Sequence, residues 1–593
     1  MIKILKNRET DTKVNVVWTC NNRHNHYTIQ SIIKGFIGAY QKDRIWRVGM
    51  DDLNELIIKL RKLDGETVHL DLTVFSTLFT HFTKRSDLLE LRNKLEGVDS
   101  GIVLKNNFKL LPFQHVGVEF ISQVKNGLIA DKVGLGKTIQ GICGVYKMFL
   151  NKELEKCIII VPSTIKIKWG REIEKYLGLK FTMLEGDLTK RSEKYRRWMA
   201  ASGPDSLFLI VSYDTIKRDM ENYVQPYTRK KFAVIMDEVQ RIKNVSSQRS
   251  KACRMFAENR LCISKIGLSA TYIETGLQDL FGVMLVVDET VFGNNFVSFQ
   301  NNFLITNYMG KIVNYRNVDV ATERMRYKSV RRNKEQVNSQ LHAFLPKVNE
   351  STVWVEMTEP QRKLEKDILK KTVDHIKNME KAGKINMTSA LTELNYLRQV
   401  AISAELIAEE STSSAKIDAL KEMLPEIIED HKVMIFCFYT KFIDIMEREL
   451  NAIGIKTIAM HGSRMEGDAK NRQRYVDFFE KSKDVKVLLT SDILSEGIDL
   501  PFATYVINTD LHWNPARMIQ RCGRIDRLNQ TAENIYMVNI LAQETLENQI
   551  LEVVYQRTEI ANQVIDGGAM EKRIQKFSFN DIKTMLRKLG GKI

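Results

Sequence analysis

G-L-I-A-D-K-V-G-L-G-K-T-I-Q, residues 127–140, is the stretch on which the fold turns. G-L-I-A is a short apolar run of the kind that forms a strand buried on both faces. The residues after Thr138 have the apolar spacing of a helix. Between strand and helix, Gly134 and Gly136 let backbone N–H groups approach a chain of phosphates, with Leu135 between them. Lys137 brings a point charge to the β- and γ-phosphates, and Thr138 brings a hydroxyl to Mg2+. The N-terminus of the following helix favours an anion. Asp131 stands where such loops usually carry their first glycine, and it is assigned to the loop's nucleotide contacts. A strand–loop–helix unit of this type predicts a parallel α/β sheet.

The partner signal lies about 100 residues on, a separation compatible with one α/β domain. F-A-V-I-M-D-E-V-Q, residues 232–240, is a second apolar strand that ends in two acids. An acid at the carboxyl end of a parallel strand sits beside the phosphate loop. Asp237 is the expected Mg2+ residue, and Glu238 is the expected general base that orients and deprotonates the attacking water. S-A-T at 269–271 follows a further strand, and Ser269 and Thr271 are expected to relay nucleotide state, together with Gln240. Gln114, ahead of the first strand, is the candidate for the adenine edge. V-P-S-T-I-K-I-K-W at 161–169 offers Ser163, Thr164, Lys166 and Lys168 to nucleic-acid phosphates. A solvated loop beside a packing Trp169 fits that stretch equally well.

Working outward, further strand candidates lie at 157–161, 207–211 and 265–269, then at 433–438, 456–460, 485–490, 505–508 and 535–540. They predict two α/β lobes, 105–325 and 411–565, joined by a helical connector over 326–410. A basic, helical tail follows at 566–593. Residues 1–104 read as a small α+β unit, with strands at 13–19 and 44–48 and helices at 27–37 and 53–63. The 593 residues exceed what one hydrophobic core supports.

The 89 Lys+Arg against 73 Asp+Glu give a net charge of +16, which favours a polyanionic partner, although many basic proteins have none. The seven cysteines are scattered with no C-x-x-C pair, so neither a zinc site nor a disulfide framework is expected. The N-terminal residues lack a signal-peptide core, and no stretch approaches a membrane span. The expectation is an intracellular soluble protein, in the cytoplasm of a bacterium or a phage-infected host, with a nuclear setting also compatible.

The last signal is Q-R-C-G-R-I-D-R-L-N-Q at 520–530. Arg524 and Arg527 at i and i+3 are expected on one helix face, as arginine fingers for a γ-phosphate. Arg521 and Gln520 precede them, and surface arginines on a helix remain the plain alternative.

Taken in order, these residues resemble the Swi/Snf family of superfamily-two DNA translocases. The match runs from Gln114 through D-K-V-G-L-G-K-T, W-x-x-E at 169–172, D-E-V-Q-R-I-K-N at 237–244 and G-L-S-A-T. It continues through V-R-R-N-K-E-Q-V and L-P-K at 330–347, S-A-K-I-D-A-L at 414–420 and H-G-S at 461–463. S-E-G-I-D-L at 495–500, L-H-W-N-P at 511–515 and the arginine motif complete it. The family usually has D-E-A-H where this chain has D-E-V-Q. The resemblance implies two RecA-like lobes, ATP and Mg2+ as cofactors, and duplex or branched DNA as partner. It places Gly497 and Asp499 with the ATP-linked residues, and Thr490, Ser491 and Trp513 with the DNA contacts. It implies ATP-driven movement on duplex DNA that remodels or anneals forks and recombination intermediates. Displacement of RNA polymerase or another bound protein is the alternative, and a replication, recombination or transcription protein could be a further partner. Residues 27–72 are similar to the small module that precedes the motor of annealing helicases; a plain structural domain fits them nearly as well.

Overall fold

The computed structural model describes residues 2–6, 13–18, 40–42, 45–49 and 68–70, five single or paired positions between them, and most of the chain from Arg85 onward. Beyond Arg85, residues 222–227, 308–309, 311, 342–345, 383–386, 463, 465–468, 493–499, 528–529, 556–578 and 591–593 are outside the description. The chain forms two compact units, the first mainly Met1–Lys132 and Gly136–Leu341, the second mainly His342–Asn562 and Ile574–Ile593.

The first unit opens with a five-stranded sheet in the order β3-β4-β2-β1-β5. These strands are β1 (Ile2–Lys6), β2 (Lys13–Trp18), β3 (Tyr40–Lys42), β4 (Ile45–Gly49) and β5 (Val68–Leu70). Strands read at 13–19 and 44–48 are therefore present. β1 pairs antiparallel with β2 and parallel with β5. The helices read at 27–37 and 53–63 lie largely outside the described residues. Within them Ile29, Ile33, Leu56 and Leu60, two pairs at i and i+4, are helical and fully buried.

The main sheet of this unit has seven strands in the order β14-β6-β11-β10-β7-β9-β8, with every pairing parallel. Its inner strands are β6 (Asn126–Ile129), β7 (Lys156–Val161), β9 (Phe208–Ser212), β10 (Phe232–Asp237) and β11 (Cys262–Leu268). All five were legible because helices on both faces require unbroken apolar runs. The two edge strands, β8 (Phe181–Met183) and β14 (Ser329–Val330), were not. They are too short to carry a pattern. The helix Lys137–Leu150 lies against the helix Pro112–Val124, where a Cβ on Gly144 would stand 2.6 Å from the Ile121 side chain. A hairpin, β12 (Leu304–Thr306) with β13 (Ile312–Tyr315), follows.

The second unit is built on six parallel strands in the order β15-β20-β19-β16-β18-β17. They are β15 (Lys347–Val355), β16 (Val433–Phe436), β17 (Thr457–Met460), β18 (Val487–Thr490), β19 (Tyr505–Asn508) and β20 (Asn534–Ala542). Five sit where the apolar runs placed them. The sixth, β15, lies inside the stretch read as a helical connector. That stretch does hold the helices Glu359–Lys381 and Met387–Ile402. β15 escaped notice because it is an edge strand, half-exposed along its length, and so keeps charged and polar residues. Thr358 and Gln361 form a capping box at the start of the first helix. The same Gln361 amide donates to Val400 O at 2.8 Å and accepts from the Ala415 N–H at 2.9 Å, pinning three helices with one side chain. In the tail, Phe579–Lys588 is helical. Among the described residues no helix is long and apolar enough to cross a membrane.

Candidate nucleotide site

The phosphate loop takes its shape from two glycines in the left-handed region. Gly134 has φ 91° and Gly136 has φ 74°, values that a side chain would strain. Gly136 caps the helix Lys137–Leu150, whose first turn carries no acid, so its N-terminal dipole faces the loop uncompensated. Lys137 curls back, its Nζ donating to the carbonyls of Asp131 (2.8 Å) and Lys132 (3.4 Å). Its charge also acts on the Asp237 carboxylate, so the ammonium stands between the loop and the acid that ends β10.

Asp131 has a different place from the one read for it. It is fully buried, and its carboxylate faces Arg332 rather than the loop's interior. Arg332 Nε reaches Oδ1 at 2.9 Å, Nη2 reaches Oδ2 at 2.6 Å, and the Arg332 N–H adds a bond to Oδ1 at 3.0 Å. Gln140 completes the network, donating to Asp131 Oδ2 at 3.0 Å and accepting from Arg332 Nη2 at 2.6 Å. Arg332 also donates to the Phe113 carbonyl. A glycine at 131 would leave a buried guanidinium unpaired, so here the acid anchors the loop from behind.

The acidic pair stands at the carboxyl end of β10, separated from β6 by β11 alone. Asp237 Oδ2 accepts from the Trp169 indole N–H at 2.8 Å, and Oδ1 accepts from the Glu238 N–H at 2.9 Å. The Tyr213 hydroxyl donates to the Asp237 carbonyl at 2.7 Å. Burial raises the Asp237 carboxyl above the usual range, opposed by the Trp169 bond and the Lys137 charge. Glu238 sits at φ 51°, ψ 53°, a left-handed conformation costing about 1–3 kcal/mol in a non-glycine residue. Gln240, where histidine is usual, donates to Glu238 Oε2 at 2.6 Å, while its own buried Oε1 has no hydrogen-bond partner among the described residues. Thr138, half-exposed in the first helical turn, and the Asp237 carboxylate are hard oxygen donors that suit Mg2+ held jointly with nucleotide phosphates. Among the described residues no three His, Cys, Asp or Glu side chains gather into a metal cluster.

Ser269 Oγ accepts from the Thr271 N–H at 3.0 Å, and the Ser269 N–H donates to Ile129 O at 3.2 Å. The S-A-T turn is thereby tied to the strand that leads into the phosphate loop. Gln114 is buried, and its Oε1 accepts from the Leu111 N–H at 2.9 Å, closing the first turn of its helix. That bond engages the oxygen end of the side-chain amide read as the candidate for the adenine edge.

The nucleic-acid candidates divide. Ser163 is exposed, and Thr164 and Lys168 are half-buried. Lys166 pairs with Glu185 at 3.0 Å. Thr490 is corrected: it is fully buried at the end of the inner strand β18, and its hydroxyl donates to Met460 O at 2.9 Å. Strand burial on both faces leaves it nothing to offer a phosphate. Ser491 is buried beside it, and Trp513 is half-buried with the Arg398 guanidinium 5.9 Å from its ring. Gly497 and Asp499 lie outside the described residues.

Arg524 and Arg527 are not on a helix face. The helix Pro515–Cys522 ends before them, at Gly523, and both lie in the turns that follow. Arg524 Nε donates to the carbonyl of the buried Gln520 at 3.0 Å. Arg521 is fully buried and joins strand ends, meeting Asp492 Oδ1 at 2.7 Å and Asp510 O at 3.0 Å. A second buried pair, Lys416 with Glu547 at 2.7 Å, braces the same unit, and Lys416 also reaches Thr509 O at 2.7 Å. Neither Arg332 nor Lys416 was singled out from sequence. Each is a buried cation, and its partner is more than 130 residues away, which no local pattern encodes.

The model of the SNF2-related domain matches residues 12–406, and that of the helicase conserved C-terminal domain matches residues 415–529. An ATP-dependent helicase of Mycoplasma pneumoniae is 26% identical over 79% of this chain and 43% of its own length. The ATP-dependent DNA helicase DDM1 of Arabidopsis thaliana is 24% identical over 88% of this chain and 68% of its own length. A SWI2/SNF2 ATPase core of Sulfolobus solfataricus, solved in complex with dsDNA, is 20% identical, covers 84% of this chain and 98% of its own, and superposes with a TM-score of 0.35. The chain spans a little under half the length of the first two curated relatives it matches. With one family model covering most of the chain and the other following it directly, this chain belongs to the SNF2-related family and carries that family's helicase C-terminal domain.

Proposed function

We propose that this chain hydrolyses ATP to move along double-stranded DNA, and that its substrates are forks and recombination intermediates which it remodels or anneals. The observation that carries the catalytic reading is the shared edge of one parallel sheet. The loop after β6 and the acids that end β10 lie on either side of the S-A-T strand, each braced by buried hydrogen bonds. Lys137 binds the β- and γ-phosphates. Glu238, held by Gln240, takes the proton of the attacking water. Thr138 and Asp237 would hold Mg2+, which neutralises phosphate charge when bound. Arg524 and Arg527 act as arginine fingers in the nucleotide-bound state.

The DNA reading is supported by the net charge of +16, by the DNA helicases among the relatives, and by the Ser163–Lys168 segment. Phosphate contacts make such binding sequence-tolerant and salt-dependent. The deciding experiment measures ATP hydrolysis without nucleic acid and with single strands, duplex, forks or RNA, beside Glu238→Gln. Stimulation by duplex or forks, lost in the variant, is expected. Stimulation by RNA alone, or indifference to every nucleic acid, would overturn the assignment.

A further inference from the structure

We propose that Trp169 is a positioning residue that ties the Ser163–Lys168 segment to the carboxylate of Asp237. The idea rests on the reading of that segment as a nucleic-acid contact and of Asp237 as the Mg2+ residue.

Trp169 is 1% exposed and packs in the core of the first unit with Ile165, Ile173 and Phe208. A buried indole has one polar atom, and its N–H must find an acceptor. Here the acceptor is Asp237 Oδ2, at 2.8 Å, the residue that β10 delivers to the phosphate loop. The other donors to Asp237 are local or differently aimed. The Glu238 N–H takes Oδ1, and the Tyr213 hydroxyl holds the main-chain carbonyl. Among the described residues, the hydrogen bonds to the two carboxylate oxygens are the indole's and one backbone N–H, with the charges of Lys137 and Lys168 acting on the same group.

The indole is fixed in turn by the helix Lys166–Leu177, which begins with the segment in question. Lys168 is its sequence neighbour, and Lys166 is one turn back. Thr164 Oγ1, just before the helix, is buried and has no hydrogen-bond partner among the described residues. Among the described residues the ion-pair partner of Lys166 is the half-exposed Glu185, which a phosphate can replace. Next to Trp169, Gly170 lets the helix press on β8, where any Cβ would overlap the Phe181 ring. A helix so tightly seated shifts as a body. A phosphate that draws Lys166 and Lys168 outward thus moves the indole N–H and re-aims the Asp237 carboxylate. Nucleic-acid occupancy is read at the metal residue through the indole hydrogen bond, beside the direct charge of Lys168.

The test uses the full chain with Trp169→Phe, and with benzothienylalanine incorporated at 169, which keeps the indole shape and replaces the N–H by sulfur. Four quantities are read: Mn2+ affinity by electron paramagnetic resonance with a non-hydrolysable ATP analogue, duplex affinity without nucleotide, the melting midpoint, and hydrolysis with and without duplex. The expected result is Mn2+ affinity weakened by about tenfold or more, as for other residues that orient metal ligands. The ratio of duplex-stimulated to basal hydrolysis should fall severalfold. Duplex affinity of the benzothienyl form should stay unchanged, and its melting midpoint should fall by no more than a few degrees, from loss of one hydrogen bond. Unaltered Mn2+ affinity, or an unaltered stimulation ratio, would overturn the proposal. So would loss of duplex binding in the benzothienyl form, since that marks a structural role only. Lys166→Ala with Lys168→Ala separates the underlying reading. If that variant binds duplex normally, the segment is not a nucleic-acid contact, and the coupling fails there even if Mn2+ affinity still depends on Trp169.

Discussion

Replacing Arg332 by methionine should be the most damaging single change behind the phosphate loop. In the native chain the Asp131 carboxylate is fully buried and bonded by Arg332 Nε, Arg332 Nη2, the Arg332 N–H and Gln140. Arg332→Met removes both guanidinium bonds and leaves a buried carboxylate with the backbone N–H and one amide. Breaking a buried pair from one side costs about 3–5 kcal/mol, because the remaining charge is uncompensated. For a unit of this size each kcal/mol lowers the melting midpoint by about 2–4 °C, so a drop on the order of ten degrees follows. The double variant Asp131→Asn, Arg332→Met removes the stranded charge and should recover at least half of that loss. Both should bind ATP weakly, since Asp131 no longer anchors the loop whose carbonyls hold Lys137. Circular dichroism melting and binding of a fluorescent ATP analogue measure the two effects. Losses that simply add in the double variant, or an Arg332→Met midpoint within two or three degrees of native, would refute the anchoring role.

Other outcomes are open to similar tests. Asp288 is buried, which alone would raise its pKa, but Lys328 at 2.7 Å, Lys265 and hydrogen bonds outweigh burial and lower it to about 2. Its folded pKa is depressed, so its contribution is present above the unfolded value and is lost as pH falls through the folded one; roughly 2–3 kcal/mol should vanish between about pH 4 and 2. The stability gap between native and Asp288→Asn, followed by denaturant titration, should therefore close over that window and stay constant from pH 5 to 7. Lys416→Met strands Glu547 in the second unit and should cost about 3–5 kcal/mol, seen as earlier unfolding in urea. Gly282→Ala forces a Cβ into the Lys243 carbonyl, so it should destabilise by about 1–3 kcal/mol or more and disturb the turn after Glu238; a normal melting midpoint would contradict the close approach. Log duplex affinity should fall linearly with log salt, and Lys166→Ala with Lys168→Ala should make the slope shallower by roughly two.

Much of the architecture was readable because parallel strands covered on both faces must be continuous apolar runs. Ile158–Val161, Phe208–Val211 and Met434–Phe436 have no polar position to blur the pattern. β8, β14 and β15 lie at sheet edges; β14 is buried but only two residues long, while β15 is half-exposed and tolerates polar residues, so nothing in K-V-N-E-S-T-V-W-V marks it as part of a six-stranded sheet. The helix expected to carry Arg524 and Arg527 stops at Gly523, a boundary that i, i+3 spacing could not foresee.

The site divides along the same line. Gly134, Gly136, Lys137, Thr138, Asp237 and Glu238 could be proposed from sequence, because phosphate chemistry demands those residue types within a few positions of a strand end. That Asp131 serves Arg332 rather than phosphate, that Gln114 closes a helix, and that Trp169 meets Asp237 were settled only by tertiary structure. Each depends on a hydrogen bond whose direction is set by burial and packing. The Arg332 and Trp169 partners are also far apart in the chain. A buried donor takes whatever acceptor the fold brings within about 3 Å, and sequence spacing holds no record of that distance.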